Sequence, residues 1–247
     1  MNTDKIILLP HIGGDGGHFI IHLIGKYISN VNNQQGYDFL YTDTNNYLGI
    51  WSPLWMLDRD GGYVCEYIIE NINAGRSWYT DLVPILELDD NKWAFQQMHI
   101  DMSVLTYMIK RNSYYKNVMA MPIYAEDLQT QIDIFCLDIV KNDLGWDDLE
   151  SKIRQRLDCV KRGHIQGYRG ADNDKIKYVN YNALILRQDI NELIKIADWL
   201  GETVVGDVLD IGKEIKEYAN RNQVILETHS FNKTKMLEIA KYIYEDI

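Results

Sequence analysis

Apolar positions along the chain follow two periods, and the change from one to the other marks its elements. Lys5-Ile6-Ile7-Leu8-Leu9-Pro10 is a continuous apolar run closed by a breaker, the pattern of a strand buried on both faces of a parallel sheet. From Gly17 the period lengthens. Phe19, Ile20, Leu23, Ile24, Tyr27 and Val31 recur at i, i+3 and i+4 and leave His18, His22 and Ser29 on the opposite face, which predicts an amphipathic helix. Further along, residues 38–42 predict a short strand, residues 65–72 a helix before Gly75, residues 93–99 a strand of alternating positions ending on a polar cluster, and residues 103–110 a helix. Residues 118–122 read as a buried strand stopped by Pro122, and residues 126–140 and 146–160 as amphipathic helices. The second of these closes on Lys161, Arg162 and Gly163, as a helix C-terminus does. Residues 177–181 predict a late strand. Asp189 with Glu192 three residues on has the spacing of a capping box, for a helix from Ile190 that stops at Gly201.

Strands alternating with helices predict an α/β fold, a three-layer α/β/α arrangement around a mostly parallel central sheet. The chain has no repeats, no low-complexity tract and only four prolines, so residues 1–247 are expected to form a single domain. Residues 162–175, with Gly163, Gly167, Gly170 and the run Asp172-Asn173-Asp174, are the candidate for a long mobile loop.

Composition narrows the function classes. A 247-residue chain that is 46% apolar can build a full core. Its net charge of −11 argues against non-specific binding of nucleic acid or an anionic membrane, so an anionic ligand must find a local pocket. Cys65, Cys136 and Cys159 are an odd set without Cys-x-x-Cys spacing, which indicates neither a disulfide framework nor a thiolate zinc site. The first apolar run is too short for a signal-peptide core or a membrane span. A soluble, cytoplasmic protein is expected.

The local pocket has one strong candidate. Gly13-Gly14-Asp15-Gly16-Gly17 lies between the predicted first strand and helix, where backbone N–H groups converge on an anion that also feels the positive end of the helix dipole. It is no Walker A loop, since His18-Phe19 stands where the lysine and hydroxyl would be, and the glycines misfit the dinucleotide fingerprint. The plain structural reading is a tight turn that only glycines permit.

Residues 10–19, Pro-His-Ile-Gly-Gly-Asp-Gly-Gly-His-Phe, resemble the donor loop of the P-loop sulfotransferase family, Pro-Lys-Ser/Gly-Gly-Thr before an apolar helix, in a slightly longer form. Met98-His99-Ile100-Asp101 resembles the family's catalytic-histidine stretch. Residues 115–122 resemble the following strand that ends in Arg-Asp/Asn-Pro. Residues 178–185 and 196–201 resemble its Tyr-Glu-Asp-Leu segment and Phe-Leu-Gly helix end. The pattern spans residues 5 to about 201 and is diffuse. It implies a P-loop nucleotide-transferase architecture and a metal-independent transfer of a sulfuryl group from 3′-phosphoadenosine 5′-phosphosulfate (PAPS) to the hydroxyl of a small molecule or glycan. The donor would be held by Gly13, Gly14, Asp15, Gly16, Gly17 and His18, with Arg162 and Arg169 as further anion contacts. The departures are specific. The family's donor-loop lysine is His11, the arginine that binds the 3′-phosphate is Ala120, and the serine eight positions later is Leu128. Either other residues hold that phosphate, or the nucleotide differs, or catalysis has been lost.

His99 is the candidate general base, because an imidazole titrates near neutral pH and can take a proton from an attacking hydroxyl; a histidine packed at a strand end is the ordinary alternative. His11 could supply positive charge to the transferring group. Lys26 lies more than two turns into the helix and reads as a surface lysine. His18 and His22 at i, i+4 with Asp15 nearby have metal-ligand spacing, but no third strong ligand can be named, and no metal is assigned. Lys161, Arg162 and Arg169 form a concentrated basic patch suited to phosphate or sulfate. Residues 51–55 and Trp78-Tyr79 could line an acceptor pocket or simply pack in the core. Two other function classes fit the same residues: another P-loop transferase such as a small-molecule kinase, dependent on Mg²⁺ and ATP, and a non-catalytic nucleotide- or sugar-binding protein.

Overall fold

A computed structural model describes residues 5–10, 16–32, 70, 72–76, 91–98, 102–113, 117–141, 173–229 and 232–244. The chain is mixed α/β with a small parallel sheet. Strand β1 (Lys5–Pro10) lies between β2 (Ala94–Met98) and β3 (Asn117–Ala120) and is parallel to both. Ile6, Leu8, Ile7 and Leu9 are all fully buried, as the uninterrupted apolar run predicts for a strand covered on both faces. Strand residues alternate between faces. Ile7 and Leu9 join the main core cluster together with their register neighbours Phe95 and Met119, whereas Ile6 and Leu8, level with Ala94, Val118 and Ala120, lie outside that cluster and are equally shielded.

The proline after β3 interrupts its ladder without ending the extended chain, contrary to the expected stop. Met121 donates its N–H to Leu8 and Pro122 accepts from Val179, after which β4 (Ile123–Tyr124) pairs in parallel with β5 (Val179–Asn180). Proline lacks a donor but keeps its carbonyl, so one side of the strand stays usable. Through Ala120, which bonds to Lys175 and Lys177 on the side away from β1, the order across the pairings runs β2, β1, β3 with β4, then β5.

Helix α1 (Gly17–Tyr27) follows β1, and Phe19, Ile20, Leu23, Ile24 and Tyr27 are buried as their spacing predicts. Helix α2 (Met102–Arg111) buries Leu105 and Met108 and adjoins β3. Helix α3 (Leu128–Lys141) starts two residues later than expected, because Asp127 caps it: Oδ1 accepts the Thr130 N–H at 2.8 Å. The predicted strand at 177–181 shrinks to two residues, since the backbone turns helical at Tyr181 and continues as a π-helical turn (Asn182–Leu186). Helix α4 (Asn191–Leu200) ends as expected on Gly201 in the left-handed conformation, φ 72°. Its start departs from the capping box. Asp189 accepts the Asn191 N–H at 3.1 Å, but the Glu192 carboxylate is buried and goes to the Asn180 N–H and Lys195 instead of reaching back.

The last part of the expected mobile loop is a tight turn. Asn173 Oδ1 accepts the N–H groups of Lys175 and Ile176, and its carbonyl accepts Trp199 Nε1. Residues 162–172 lie outside the described residues, as do the elements expected at 38–42 and 146–160. Of the helix expected at 65–72, Glu70 and Ile72 are described and helical. Two helices complete the chain: α5 (Val208–Thr228), capped by Asp207, and α6 (Lys233–Tyr244), whose Met236 packs on Cys136 of α3. No described helix is long and apolar enough to cross a membrane.

Candidate functional site

In a parallel sheet all strands end at one edge, and a crevice forms there where neighbouring connections diverge. From β1 the chain passes first to β2 on one side and later to β3 on the other, so the divergence falls at the C-terminal end of β1. Met98 stands in register with Pro10, and the two stretches singled out from sequence, His99 and His11 to Gly17, follow directly on this pair.

The described part of the turn begins at Gly16. Its φ of 76° is left-handed, which glycine adopts without a side-chain penalty. A Cβ there would lie 2.8 Å from the Tyr218 hydroxyl of α5, so the position is closed to side chains on two counts. The Gly16 carbonyl accepts the Ile20 N–H at 2.9 Å, and α1 has neither a side-chain cap nor an acidic residue in its first turn. The Tyr218 ring stacks on Phe19, centroids 4.0 Å apart and ring planes nearly parallel.

One turn further along α1, Glu214 of α5 meets two bases. Its Oε2 lies 3.2 Å from His22 Nε2, and its Oε1 accepts from Lys26. Burial works to raise the Glu214 carboxyl, but the hydrogen bonds and positive charge of Lys26 outweigh it and hold the group below its ordinary range. Lys26 is accordingly raised, first by its hydrogen bond to Glu214. The surface lysine expected from sequence is an ion-paired one.

A second polar centre occupies the same edge, beyond β4 and β5. Glu126 forms a bidentate pair with Arg187, both bonds 2.6 Å, and accepts Asn180 Nδ2 at 2.6 Å. The guanidinium and the amide hold its carboxyl down to about 2. Buried Asn182 is fully used: Oδ1 accepts the Glu126 N–H, and Nδ2 donates to Asp127 Oδ2 at 2.8 Å and Thr130 Oγ1 at 2.9 Å. Desolvation opposes the charge on Asp127, yet the Thr130 and Asn182 hydrogen bonds win and lower its pKa.

Of the sequence candidates, Gly16 and Gly17 lie at the start of α1 and His18 in its first turn. His11, Gly13, Gly14, Asp15, His99, Arg162 and Arg169 lie outside the described residues, as do the aromatic residues 51–55 and 78–79. Ala120, in place of the family arginine, is fully buried within the sheet, and Leu128 is the first residue of α3 behind the Asp127 cap. Among the described residues no group of three His, Cys, Asp or Glu side chains could hold a metal.

Sequence reasoning missed Tyr218 and Glu214, which reach α1 from some 200 residues away. It also missed the Glu126, Arg187 and Asn182 network. Only Asp127, with Thr130 three residues on, carried a local signal, that of an N-cap. Comparisons with protein-family models, with curated proteins and with solved structures find no match.

Proposed function

We propose that the chain is a nucleotide-dependent transferase of the P-loop, sulfotransferase-like architecture, three-layered around its parallel sheet, with the turn between β1 and α1 as the anion site. The observation that carries this reading is the strand, left-handed glycine turn and helix start at the point where the strand order diverges. Such a site stabilises a phosphosulfate by N–H groups and dipole alone. Gly13 to His18 would cradle the donor's 5′ end, His11 and the Arg162 and Arg169 patch would add positive charge, and His99 would take the proton of an acceptor hydroxyl as it attacks sulfur. The reaction moves the sulfuryl group to the acceptor oxygen and leaves the nucleotide phosphate as the departing group.

The test is a thermal-shift panel with adenosine 3′,5′-bisphosphate, adenosine 5′-monophosphate, ATP with Mg²⁺, and NAD. A ligand at 100 times its Kd stabilises by about 2.7 kcal/mol. A shift with the adenosine phosphates in the absence of metal is expected; a response to ATP with Mg²⁺ alone points to a kinase, and silence to all four overturns the reading. His99→Ala should then lower turnover about 10²- to 10⁴-fold with donor affinity nearly unchanged. Joint loss of stability and donor binding would make His99 structural.

One observation favours a second reading, a nucleotide-binding protein without transferase activity. The positions matching the family's 3′-phosphate contacts are a sheet-interior alanine and a leucine behind a carboxylate cap.

A further inference from the structure

Helix α1 is held at both ends by one stretch of chain that the sequence gives no reason to connect with it. At its C-terminus, Ile28 bridges Val204, the Ser29 N–H donates to Thr203, the Val205 N–H donates to Tyr27, and Glu202 accepts from the side chains of Ser29 and Asn30. Gly206, at φ 98°, brings its backbone against the Tyr27 ring, where a Cβ would approach to 3.1 Å. At its N-terminus, Tyr218 covers Gly16 and stacks on Phe19. Between the two, Glu214 takes His22 and Lys26. The ends differ in kind. The C-terminal end is a set of backbone hydrogen bonds, whereas at the N-terminal end the Tyr218 side chain closes on Gly16 and stacks on the buried Phe19.

We propose that residues 202–218 form a two-ended latch on α1, in which Tyr218 holds the left-handed turn at Gly16, so that releasing Tyr218 frees the start of α1 while the sheet and the far end of the helix stay in place. The latch would set the geometry of the turn from the far end of the chain. Its functional weight rests on the anion-site reading; the latch itself does not.

Two measurements on the full chain without ligand test it, so a failure here is separate from a failure of adenosine phosphates to bind. The first is a double-mutant cycle of Gly16→Ala and Tyr218→Phe in urea unfolding. The added methyl meets the hydroxyl oxygen at 2.8 Å but ring carbons only at 3.4 Å, so removing the oxygen should rescue part of the Gly16→Ala loss, leaving the cost of the left-handed φ. The second is amide hydrogen exchange in Tyr218→Ala. The Ile20 N–H, bonded to Gly16, should exchange at least about tenfold faster, while the amides of β1 and α4 keep their wild-type protection. Additive mutations overturn the proposal, and so does exchange that is unchanged at Ile20 or rises equally in β1. Should Tyr218→Ala fail to fold, the cycle with Tyr218→Phe, which keeps the stack on Phe19, decides alone.

Discussion

Asp127→Ala should be among the most costly substitutions of a solvent-facing residue in this protein, and the loss can be assembled from its bonds. Oδ1 caps α3 through the Thr130 N–H at 2.8 Å, and Oδ2 accepts from Thr130 Oγ1 at 2.9 Å and from Asn182 Nδ2 at 2.8 Å. Loss of an N-cap costs about 0.5–2 kcal/mol. Asn182 is buried and its amide retains Thr130 Oγ1 as a partner, so weakening its second bond adds about 1 kcal/mol. The sum, about 1.5–3 kcal/mol, should appear in urea unfolding as a lower midpoint at unchanged m-value, and as a melting temperature lower by about 3–12 °C. Asp127→Asn keeps a capping oxygen and should lose less than half as much. If alanine costs under about 0.5 kcal/mol, or asparagine costs as much as alanine, the network does not hold the start of α3 and the accounting above is wrong.

Other outcomes follow from the same geometry. Leu8→Ala removes a fully buried side chain at the centre of the sheet and should cost about 2–5 kcal/mol in the same urea assay; a smaller loss would place β1 nearer an edge. The Cys136 thiol is raised to about 12 by burial, so the peptide carrying it should stay unlabelled by iodoacetamide at pH 8 in the native protein and label fully in urea; native-state labelling would contradict its burial. Glu126, Asp127 and Glu214 all have lowered carboxyls. Their contribution is fully present above the ordinary carboxylate range and is lost as pH falls through the folded values, toward about 2 for Glu126. Unfolding followed from pH 6 to pH 2.5 should show falling stability, less steeply in Glu126→Gln and in high salt because that pair is exposed; a pH-independent midpoint would refute the sign.

What could be read from sequence was local or periodic. The uninterrupted run Ile6 to Leu9 specified a doubly covered strand because no polar residue offered a solvent face, and the 3.6-residue spacing from Phe19 specified which side of α1 is buried. Gly201 marked a helix end through its own conformational freedom. Where the reading failed, a distant partner had overruled a local pattern. Glu192 has capping-box spacing, but the Asn180 N–H, twelve residues earlier, offers its carboxylate a buried bond. Pro122 reads as a strand end, yet its carbonyl still finds Val179. Tyr218 and Glu214 were illegible as site residues because nothing in α5 indicates that it will lie on α1.

The same edge of the sheet bears on which nucleotide the proposed site would take. β4 continues two residues past the level of Pro10, roughly 6–7 Å at strand rise, and Glu126 and Asp127 follow it after Ala125. Glu126 is neutralised by Arg187, but Asp127 faces no cation among its bonded partners, and it occupies the Thr130 N–H that a phosphate at the start of α3 would need. A carboxylate in that place repels a second phosphate as well as displacing it. With Ala120 buried in the sheet, neither position matching the family's 3′-phosphate contacts can serve. Under the proposed reading, then, adenosine 5′-monophosphate and adenosine 3′,5′-bisphosphate should bind with affinities within about threefold of each other, because neither Ala120 nor Leu128 offers the 3′-phosphate a positive charge or a side-chain hydrogen bond. Isothermal titration at one salt concentration measures both. A bisphosphate more than about tenfold tighter, a difference of about 1.4 kcal/mol, would mean that other residues hold the 3′-phosphate, with Arg162 and Arg169 the first to replace by alanine.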